Sequence, residues 1–545
     1  MAGLGPLPDG DGRAAPRDWW RGAVIYQIYP RSFQDTNGDG IGDLPGIVQR
    51  LDHVAALGVD AVWLSPFYPS PMRDFGYDVA DYCDVDPRFG TLADFDVLVA
   101  EAHRRGLKVL IDLVLSHSSD AHPWFTESRQ SRDNAKADWY VWADARADGP
   151  PPNNWLAHFG GPAWTWDGRR RHYYLHNLHP SQPDLNFHCP AVQDALLDVA
   201  RFWLERGVDG FRLDVVNLYA HDASLADNPR SDWIEPPAKP IAMQWPVHNS
   251  NRPETLAFVE RLRGVLDAYG ATTSIGEVIS PYDRGRLVAA YTAPGRLHMA
   301  YTFELLTAPL TPDAIRRAVA DVDGASPEAW ANWAVSNHDT PRVASRWGAP
   351  GDRRAPPLFS ALAACLRGSA CLYQGEELGL PEAEVAFERL QDPEGIAFWP
   401  AAKGRDGCRT PMPWTPTPEG GFTTGEPWLP LADAHRPLAA SLQAADPSSP
   451  LARLQRFYAW RASEPVLRFG DWRAVDAPAG VLAFVRRSED RRLLMVFNTT
   501  DAPVALDLAV DPGLERLDMG GFEEHADLHG GCLRVAPWGA AAFVY

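Results

Sequence analysis

Gly210-Phe211-Arg212-Leu213-Asp214-Val215-Val216-Asn217 is an apolar, β-branched run interrupted by two charges. A charged side chain in such a run is costly unless it is paired or used. Arg212 and Asp214 are two residues apart, so in a strand both side chains leave on the same side and can meet. The run follows a helical stretch, 190–205, that opens on Pro190 and is closed by Gly207, the punctuation of a helix start and stop. A helix followed by a short buried strand is the repeating pair of a parallel sheet. Seven further runs of this kind lie at 24–29, 61–65, 108–114, 273–278, 299–305, 332–337 and 370–374, and a helix over 45–57, ended by Gly58, joins the first two. Eight such units predict a (β/α)8 TIM barrel of the α/β class.

The units are unevenly spaced. Residues 115–209 separate the third and fourth runs, too many for a loop and a helix, and include the Trp/Tyr/Asn-rich stretch 139–174. The predicted organisation is a barrel domain begun at 1–117, an inserted domain at 118–188, the rest of the barrel at 189–455, and a C-terminal antiparallel β-sandwich at 456–545. A long Pro- and Asn-rich connection, 218–253, is expected to arch over the barrel mouth.

With 545 residues, 45% hydrophobic and 22% charged, the chain has material for more than one core. Mean hydropathy is -0.28 and no apolar run reaches membrane-spanning length, so no membrane partner is expected. The opening MAGLGPLPDGDGRAAPRD has no apolar leader, which points to a cytoplasmic protein. A net charge of -20 disfavours nucleic acid and leaves a neutral or cationic small molecule as the expected partner of a monomer or homodimer. Cys83, Cys189, Cys365, Cys371, Cys408 and Cys532 form no C-x-x-C pair and read as reduced thiols. Trp serves as core filler, but 21 Trp against 7 Met also suits a site that stacks sugar rings.

In such a barrel the reacting groups sit where strands give way to loops. Asp214 follows Gly210-Phe211-Arg212-Leu213 in the fourth run, whose strand is predicted over 210–216, Glu277 follows Ser274-Ile275-Gly276 in the fifth, and Asp339 follows Asn337-His338 after the seventh. Any one of them could be a buried ion pair; three at one barrel mouth point to catalysis. Two carboxylates about 5–5.5 Å apart suffice for retaining glycoside hydrolysis, one attacking the anomeric carbon and one moving the proton. The apolar setting of Glu277 suits a raised pKa, and Arg212 suits an ionised Asp214. His117, closing the third run, and His338 can donate hydrogen bonds to sugar hydroxyls.

Asp112-Leu113-Val114-Leu115-Ser116-His117, Gly210-Phe211-Arg212-Leu213-Asp214-Val215-Val216-Asn217, Ile275-Gly276-Glu277-Val278 and Asn337-His338-Asp339 resemble, in that order, the motifs of glycoside hydrolase family 13, the α-amylase family. The resemblance covers nearly the whole chain and is strongest to the α-glucosidase and oligo-1,6-glucosidase branch. It implies that Asp214 is the nucleophile, Glu277 the general acid/base and Asp339 the residue that stabilises the distorted sugar, with Arg212, His117 and His338 as sugar ligands. It also implies that Asp74 of Asp74-Phe75-Gly76-Tyr77 holds the non-reducing-end hydroxyls and Tyr77 stacks under the ring. Arg405, which opens Arg405-Asp406-Gly407-Cys408-Arg409-Thr410-Pro411-Met412, would pair with Asp74 and close the pocket. A closed pocket implies an exo-acting retaining α-glucosidase working by double displacement on maltose, sucrose and short oligosaccharides, with some transglucosylation and no organic cofactor. Valine at 215 accompanies α-1,6 activity in the branch, whereas its surroundings resemble enzymes of maltose and sucrose, so the linkage stays open. Oligo-1,6-glucosidase, sucrose hydrolase or glucosyltransferase, and trehalose synthase are the alternatives. On its own, Val215 reads as a strand residue of high β-propensity.

Asp35-Thr36-Asn37-Gly38-Asp39-Gly40-Ile41-Gly42-Asp43 places oxygen donors at alternate positions with glycines between them. Such a loop suits a hard cation or an Asx-rich turn, and Gly46 stands where an EF-hand carries its bidentate Glu. The family resemblance implies a structural Ca2+, with Mg2+ as second choice, held by Asp35, Asn37, Asp39, the Ile41 carbonyl and Asp43.

Overall fold

Parallel strands covered on both faces need apolar residues at nearly every position, and the eight runs supply them. They form β1 (Val24–Ile28), β2 (Ala61–Leu64), β3 (Lys108–Leu113), β4 (Gly210–Leu213), β5 (Thr273–Val278), β6 (Met299–Thr302), β7 (Ala331–Ala334) and β8 (Ser369–Tyr373) of a closed barrel. All neighbours pair in parallel, and β1 pairs with both β2 and β8, which closes the ring. The structure is a computed structural model that describes residues 17–232, 237–348, 351–507, 514–522, 526–529 and 531–544. Residues 1–16, read above for a leader, and 233–236, in the mouth loop, lie outside the described residues.

Ile25, Trp63, Leu110, Ile275, Met299, Tyr301 and Cys371 belong to one apolar cluster contributed by the barrel strands, joined by Trp19, Trp20 and Trp330. Three strands stop three or more residues earlier than expected. β4 ends at Leu213 because the chain turns at Val215; β6 ends at Thr302, and Glu304–Thr307 forms a helical turn; β7 ends at Ala334. Each early end leaves polar residues free of the ladder at the barrel mouth.

Between β3 and β4 the chain makes a small antiparallel sheet of Trp142–Ala143, Trp164–Asp167 and His172–Leu175, with the last in the centre. Its core of Val141, Trp155, Ala157, Ala163, Trp164 and Leu175 takes up part of the tryptophan-rich stretch. An isolated bridge from His117 to Asp184 ties this insertion to the segment that follows β3, and one from Tyr140 to Leu185 joins two parts of the insertion itself.

The boundary placed at 455/456 falls inside the helix Pro450–Ala462. That helix starts where the Ser449 side chain accepts from the Ala452 N–H, and it docks on the barrel through Arg461, which donates to the carbonyls of Ala364 (2.8 Å) and Gly22 (2.7 Å). The antiparallel strands begin only at Asp471. One sheet orders Asp471–Val475, Val481–Arg487, Arg492–Asn498, Ala540–Val544 and Glu515–Leu517; the other orders Val504–Asp507, Cys532–Val535 and Ala526–His529. Val481, Ala483, Leu494 and Val496 meet Leu506, Leu533 and Val535 in a cluster between the sheets, while the alternate residues Leu482, Phe484, Met495 and Phe497 join the main core. Arg486 donates to the carbonyls of Cys365 (2.7 Å) and Leu366 (2.9 Å), capping a barrel helix from the neighbouring domain. No helix among the described residues is long and apolar enough to cross a membrane.

Gly210 sits where β4 runs tightly along β5: a Cβ there would strike the Thr273 carbonyl. Gly210→Ala is expected to cost about 1–3 kcal/mol through overpacking. Urea unfolding at neutral pH checks this.

Candidate active site

The register of the barrel sets Arg212 of β4 beside Asp112 of β3 and Ile275 of β5. Arg212 is buried to 1% exposure and lies over the Trp63 ring, 5.1 Å from its centroid. Its guanidinium binds three carboxylates: Nη1 donates to Asp112 Oδ1 (2.8 Å) and Asp214 Oδ1 (2.6 Å), and Nη2 contacts Glu277 Oε1 (2.6 Å). One positive charge cannot balance three buried negative ones, so a proton is retained among the acids. Burial pushes Glu277 up to about 8, with Arg212 opposing and Asp214 adding to the rise. Burial likewise pushes Asp112 up to about 7, and raises Asp214 against the pull of Arg212 and His117. Glu277 is therefore the group best suited to carry the proton.

Asp214 continues the β4 pairing for one more bond, its N–H donating to the Leu113 carbonyl at 3.2 Å. Its Oδ2 is buried and accepts no hydrogen bond from the described residues, whereas Oδ1 is restrained by Arg212. Val215 does not extend the strand as its β-propensity suggested. It takes a left-handed conformation, φ 35°, ψ 47°, which a β-branched residue rarely adopts, and its N–H donates to Glu277 Oε2 at 2.9 Å.

His338 lies against Tyr77 with ring planes 6° apart and centroids 5.4 Å apart. Gln27 Nε2 is 2.7 Å from its Nδ1, and the Tyr77 hydroxyl is 2.6 Å from its Nε2. Tyr77 also donates to Asp112 Oδ2 at 3.0 Å. Asp339 meets His338 Nε2 at 3.2 Å and Arg409 Nη2 at 2.9 Å, with Arg405 Nη1 at 3.5 Å. Burial works against the Asp339 charge, but His338, Arg409 and Arg405 outweigh it and hold the carboxyl below its ordinary range. Burial keeps His338 neutral, pushing it down to about 3, so the two arginines are the charges that matter at neutral pH.

At one wall, Arg405 Nη2 donates to Asp74 Oδ1 at 2.7 Å and to Asp392 Oδ1 at 2.6 Å. Gln182, from the insertion, donates to Asp74 Oδ2 at 3.0 Å and lies 3.2 Å from His117 Nε2. His117 Nε2 also stands 3.0 Å from the Tyr77 carbonyl, and burial lowers its pKa. The structure thus gathers Asp214, Glu277, Asp339, Asp74, Tyr77, His117, Arg212, His338 and Arg405 into one connected network. Asp112, Gln182, Asp392 and Arg409 belong to the same network and were not singled out from the sequence. Asp112 opens the third strand's motif, and its register opposite Arg212 would have exposed it; Gln182 and Asp392 leave no signal in sequence.

The loop 35–43 lies apart from this network. Asp35 Oδ1 accepts from the N–H groups of Asn37 (2.9 Å) and Gly38 (2.8 Å), and Oδ2 from the Gly40 N–H (2.9 Å) and the Thr423 hydroxyl (2.5 Å). Asp43 Oδ2 accepts from the backbone (2.9 Å) and hydroxyl (2.8 Å) of Thr36, and Oδ1 from the Gly46 N–H (2.7 Å). Among the described residues no three His, Cys, Asp or Glu side chains are gathered as a metal cluster. The donors are nonetheless all oxygen, as a hard cation requires, and burial raises the Asp43 carboxyl against the hydrogen bonds from Thr36 and Gly46, with Asp35 adding last to the rise.

The chain is similar to known proteins over nearly its whole length. Residues 27–470 match the family described as alpha amylase, catalytic domain, and 478–543 match a D-apionate lactonase C-terminal immunoglobulin-like domain. The chain is 53% identical to a probable alpha-glucosidase of Rhizobium meliloti, covering 96% of each chain. It is 37% identical to an oligo-1,6-glucosidase of Halalkalibacterium halodurans, covering 88% of this chain and 90% of the relative. Among solved structures, an alpha-glucosyl transfer enzyme superposes with a TM-score of 0.94 at 54% identity, covering 96% of this chain and 99% of that one. The trehalulose synthase of Pseudomonas mesoacidophila superposes with a TM-score of 0.86 at 31% identity, covering 98% and 100%.

Removing the guanidinium leaves three buried carboxylates without their common partner. Arg212→Leu is expected to cost about 3–5 kcal/mol at neutral pH. The penalty should shrink as pH falls, because Asp112, Asp214 and Glu277 take up protons in the folded variant and cease to be buried charges. Denaturant titrations across pH 5 to 8 measure both effects.

Proposed function

The chain belongs to the alpha-amylase family of glycoside hydrolases, in its α-glucosidase and oligo-1,6-glucosidase branch, and we propose that it is an exo-acting retaining α-glucosidase. The reading rests above all on the unequal treatment of two neighbouring carboxylates. Asp214 keeps one oxygen free while Arg212 restrains the other, and Glu277 has a pKa high enough to hold a proton near neutrality. Asp214 Oδ2 attacks the anomeric carbon as Glu277 protonates the leaving oxygen; Glu277 then takes a proton from water, which hydrolyses the glucosyl ester and regenerates Asp214. Tethering to one guanidinium favours the about 5–5.5 Å separation of retaining enzymes over the about 6.5–9.5 Å that leaves room for water between the acids. Asp339, ionised by Arg405 and Arg409, faces the positive charge that develops on the sugar ring.

The ion pair between Asp74 and Arg405, supported by Asp392 and Gln182, closes the far end of the pocket and supports removal of single glucosyl units from the non-reducing end of maltose, sucrose and short oligosaccharides. The names of the relatives support hydrolysis of α-glucosides, and the likeness to a glucosyl transfer enzyme supports some transglucosylation. The likeness to a trehalulose synthase keeps sucrose among the substrates to be tested. Calcium at loop 35–43 completes the proposal: bound there by Asp35, Asn37, Asp39, the Ile41 carbonyl and Asp43, it would supply positive charge to two buried acids and take no part in the chemistry.

Product analysis with maltose, isomaltose, sucrose, trehalose and maltoheptaose is expected to show glucose leaving one unit at a time. Internal cleavage of maltoheptaose would refute the closed pocket. Because the acid must be protonated, kcat/KM on maltose should fall as pH rises through about 8, and Glu277→Gln should abolish that limb with the activity. Chelation is expected to lower Tm and calcium to restore it; an unchanged Tm would leave the loop as a hydrogen-bonded turn.

A further inference from the structure

The left-handed backbone of Val215 needs a cause, since such conformations persist only where the surroundings over-determine them. β4 and β5 run in register to Leu213 and Gly276 and then part. Beyond that point a side chain holds them together. Asn217 is fully buried, and its amide binds the backbone of Ile279 twice: Nδ2 donates to the carbonyl at 2.8 Å and Oδ1 accepts the N–H at 3.0 Å. Its own carbonyl accepts the Asn251 N–H at 2.7 Å, which fixes the turn from the other side. Gly276 gives room for the approach, because a Cβ there would lie 3.0 Å from Val216 Cγ1 and collide with Leu297.

The spacing is the informative part. Asn217 lies two residues past Val215, and Ile279 lies two residues past Glu277. The amide rung between 217 and 279 therefore sets the Val215 N–H opposite Glu277, where it reaches Oε2 at 2.9 Å while Arg212 holds Oε1 at 2.6 Å. Two donors from different directions fix the rotation of the carboxyl group. β4 itself ends at Leu213, before both Val215 and Asn217.

We propose that Asn217 is a positioning residue for Glu277, acting through the left-handed turn that presents the Val215 N–H to the Glu277 carboxyl. The proposal rests on the reading of Glu277 as general acid. Its function is to aim the proton at the leaving oxygen, so its loss should matter in proportion to how much the leaving group needs that proton.

The test compares kcat/KM on maltose, whose leaving group needs a proton, with kcat/KM on 2,4-dinitrophenyl α-glucoside, whose leaving group does not. Asn217→Ala is expected to lose more than about tenfold on maltose, a part of the 10²–10⁴-fold that general acid catalysis contributes, and less than about threefold on the dinitrophenyl substrate. Replacing Val215 by its α-hydroxy acid, which deletes the N–H and leaves the side chain, should reproduce the selective loss even if Asn217→Ala folds poorly. Glu277→Gln provides the reference. Equal losses on both substrates for the two turn variants, beside a selective loss for Glu277→Gln, would overturn the positioning role. Equal losses for Glu277→Gln itself would instead overturn its reading as the acid.

Discussion

The buried guanidinium of Arg212 carries hydrogen bonds or ion pairs to Asp112, Asp214 and Glu277 at 2.6–2.8 Å, and most of the site can be understood as what that arrangement demands. Charge alone prevents all three acids from ionising around one cation in a region shielded from water. The environment then decides where the proton stays. Burial raises all three acids, Glu277 furthest to about 8, while the Asp214 carboxyl takes one bond from Arg212 and has a second oxygen with no partner among the described residues. On the proposed reading, two residues of the same chemistry do different work beside the same neighbour. The barrel supplies the rigidity this needs, because Asp112, Arg212, Asp214 and Glu277 sit in or directly after three adjacent strands whose register is locked on both sides.

A second tier of interactions shapes the pocket around that centre. Arg405 and Arg409 arrive from a connection more than three hundred residues away from Asp74, the Asp74 pair spanning 331 positions in sequence. Arg409 donates through Nε to the His338 carbonyl at 2.7 Å as well as to Asp339, so backbone and carboxylate are oriented together. The inserted sheet contributes Gln182, which links Asp74 to His117. The insertion and the late loop thus meet at Asp74, and the Arg405 pairs with Asp74 and Asp392 are buried, where removing one partner is far more costly than at a surface.

The barrel and its three acids were legible in sequence because both depend on local pattern. Parallel strands covered on both faces read as unbroken apolar runs, and an acid ending such a run is conspicuous. Helix 190–205 was readable to the residue from Pro190 and Gly207. What escaped depends on register or on distant chain. Asp112 gains its place in the site only through the register that sets it beside Arg212. Asp392 and Gln182 act only through partners brought close by folding. Val215 misled, since β-branching favours a strand, but the amide of Asn217 and the bond to Glu277 hold it in a left-handed turn. The last domain boundary also escaped: helix Pro450–Ala462 carries straight through the point where composition changes.

The central claim is that Asp214 forms a bond to the sugar while Glu277 handles the proton. It is tested most directly by trapping the enzyme with a 5-fluoro-α-glucosyl fluoride and locating the label by peptide mass spectrometry. The account predicts a single 5-fluoroglucosyl ester on the peptide containing Asp214, formed at the rate of inactivation and released as turnover resumes. A label on another residue, or inactivation-free turnover that inverts the anomeric configuration, would contradict it.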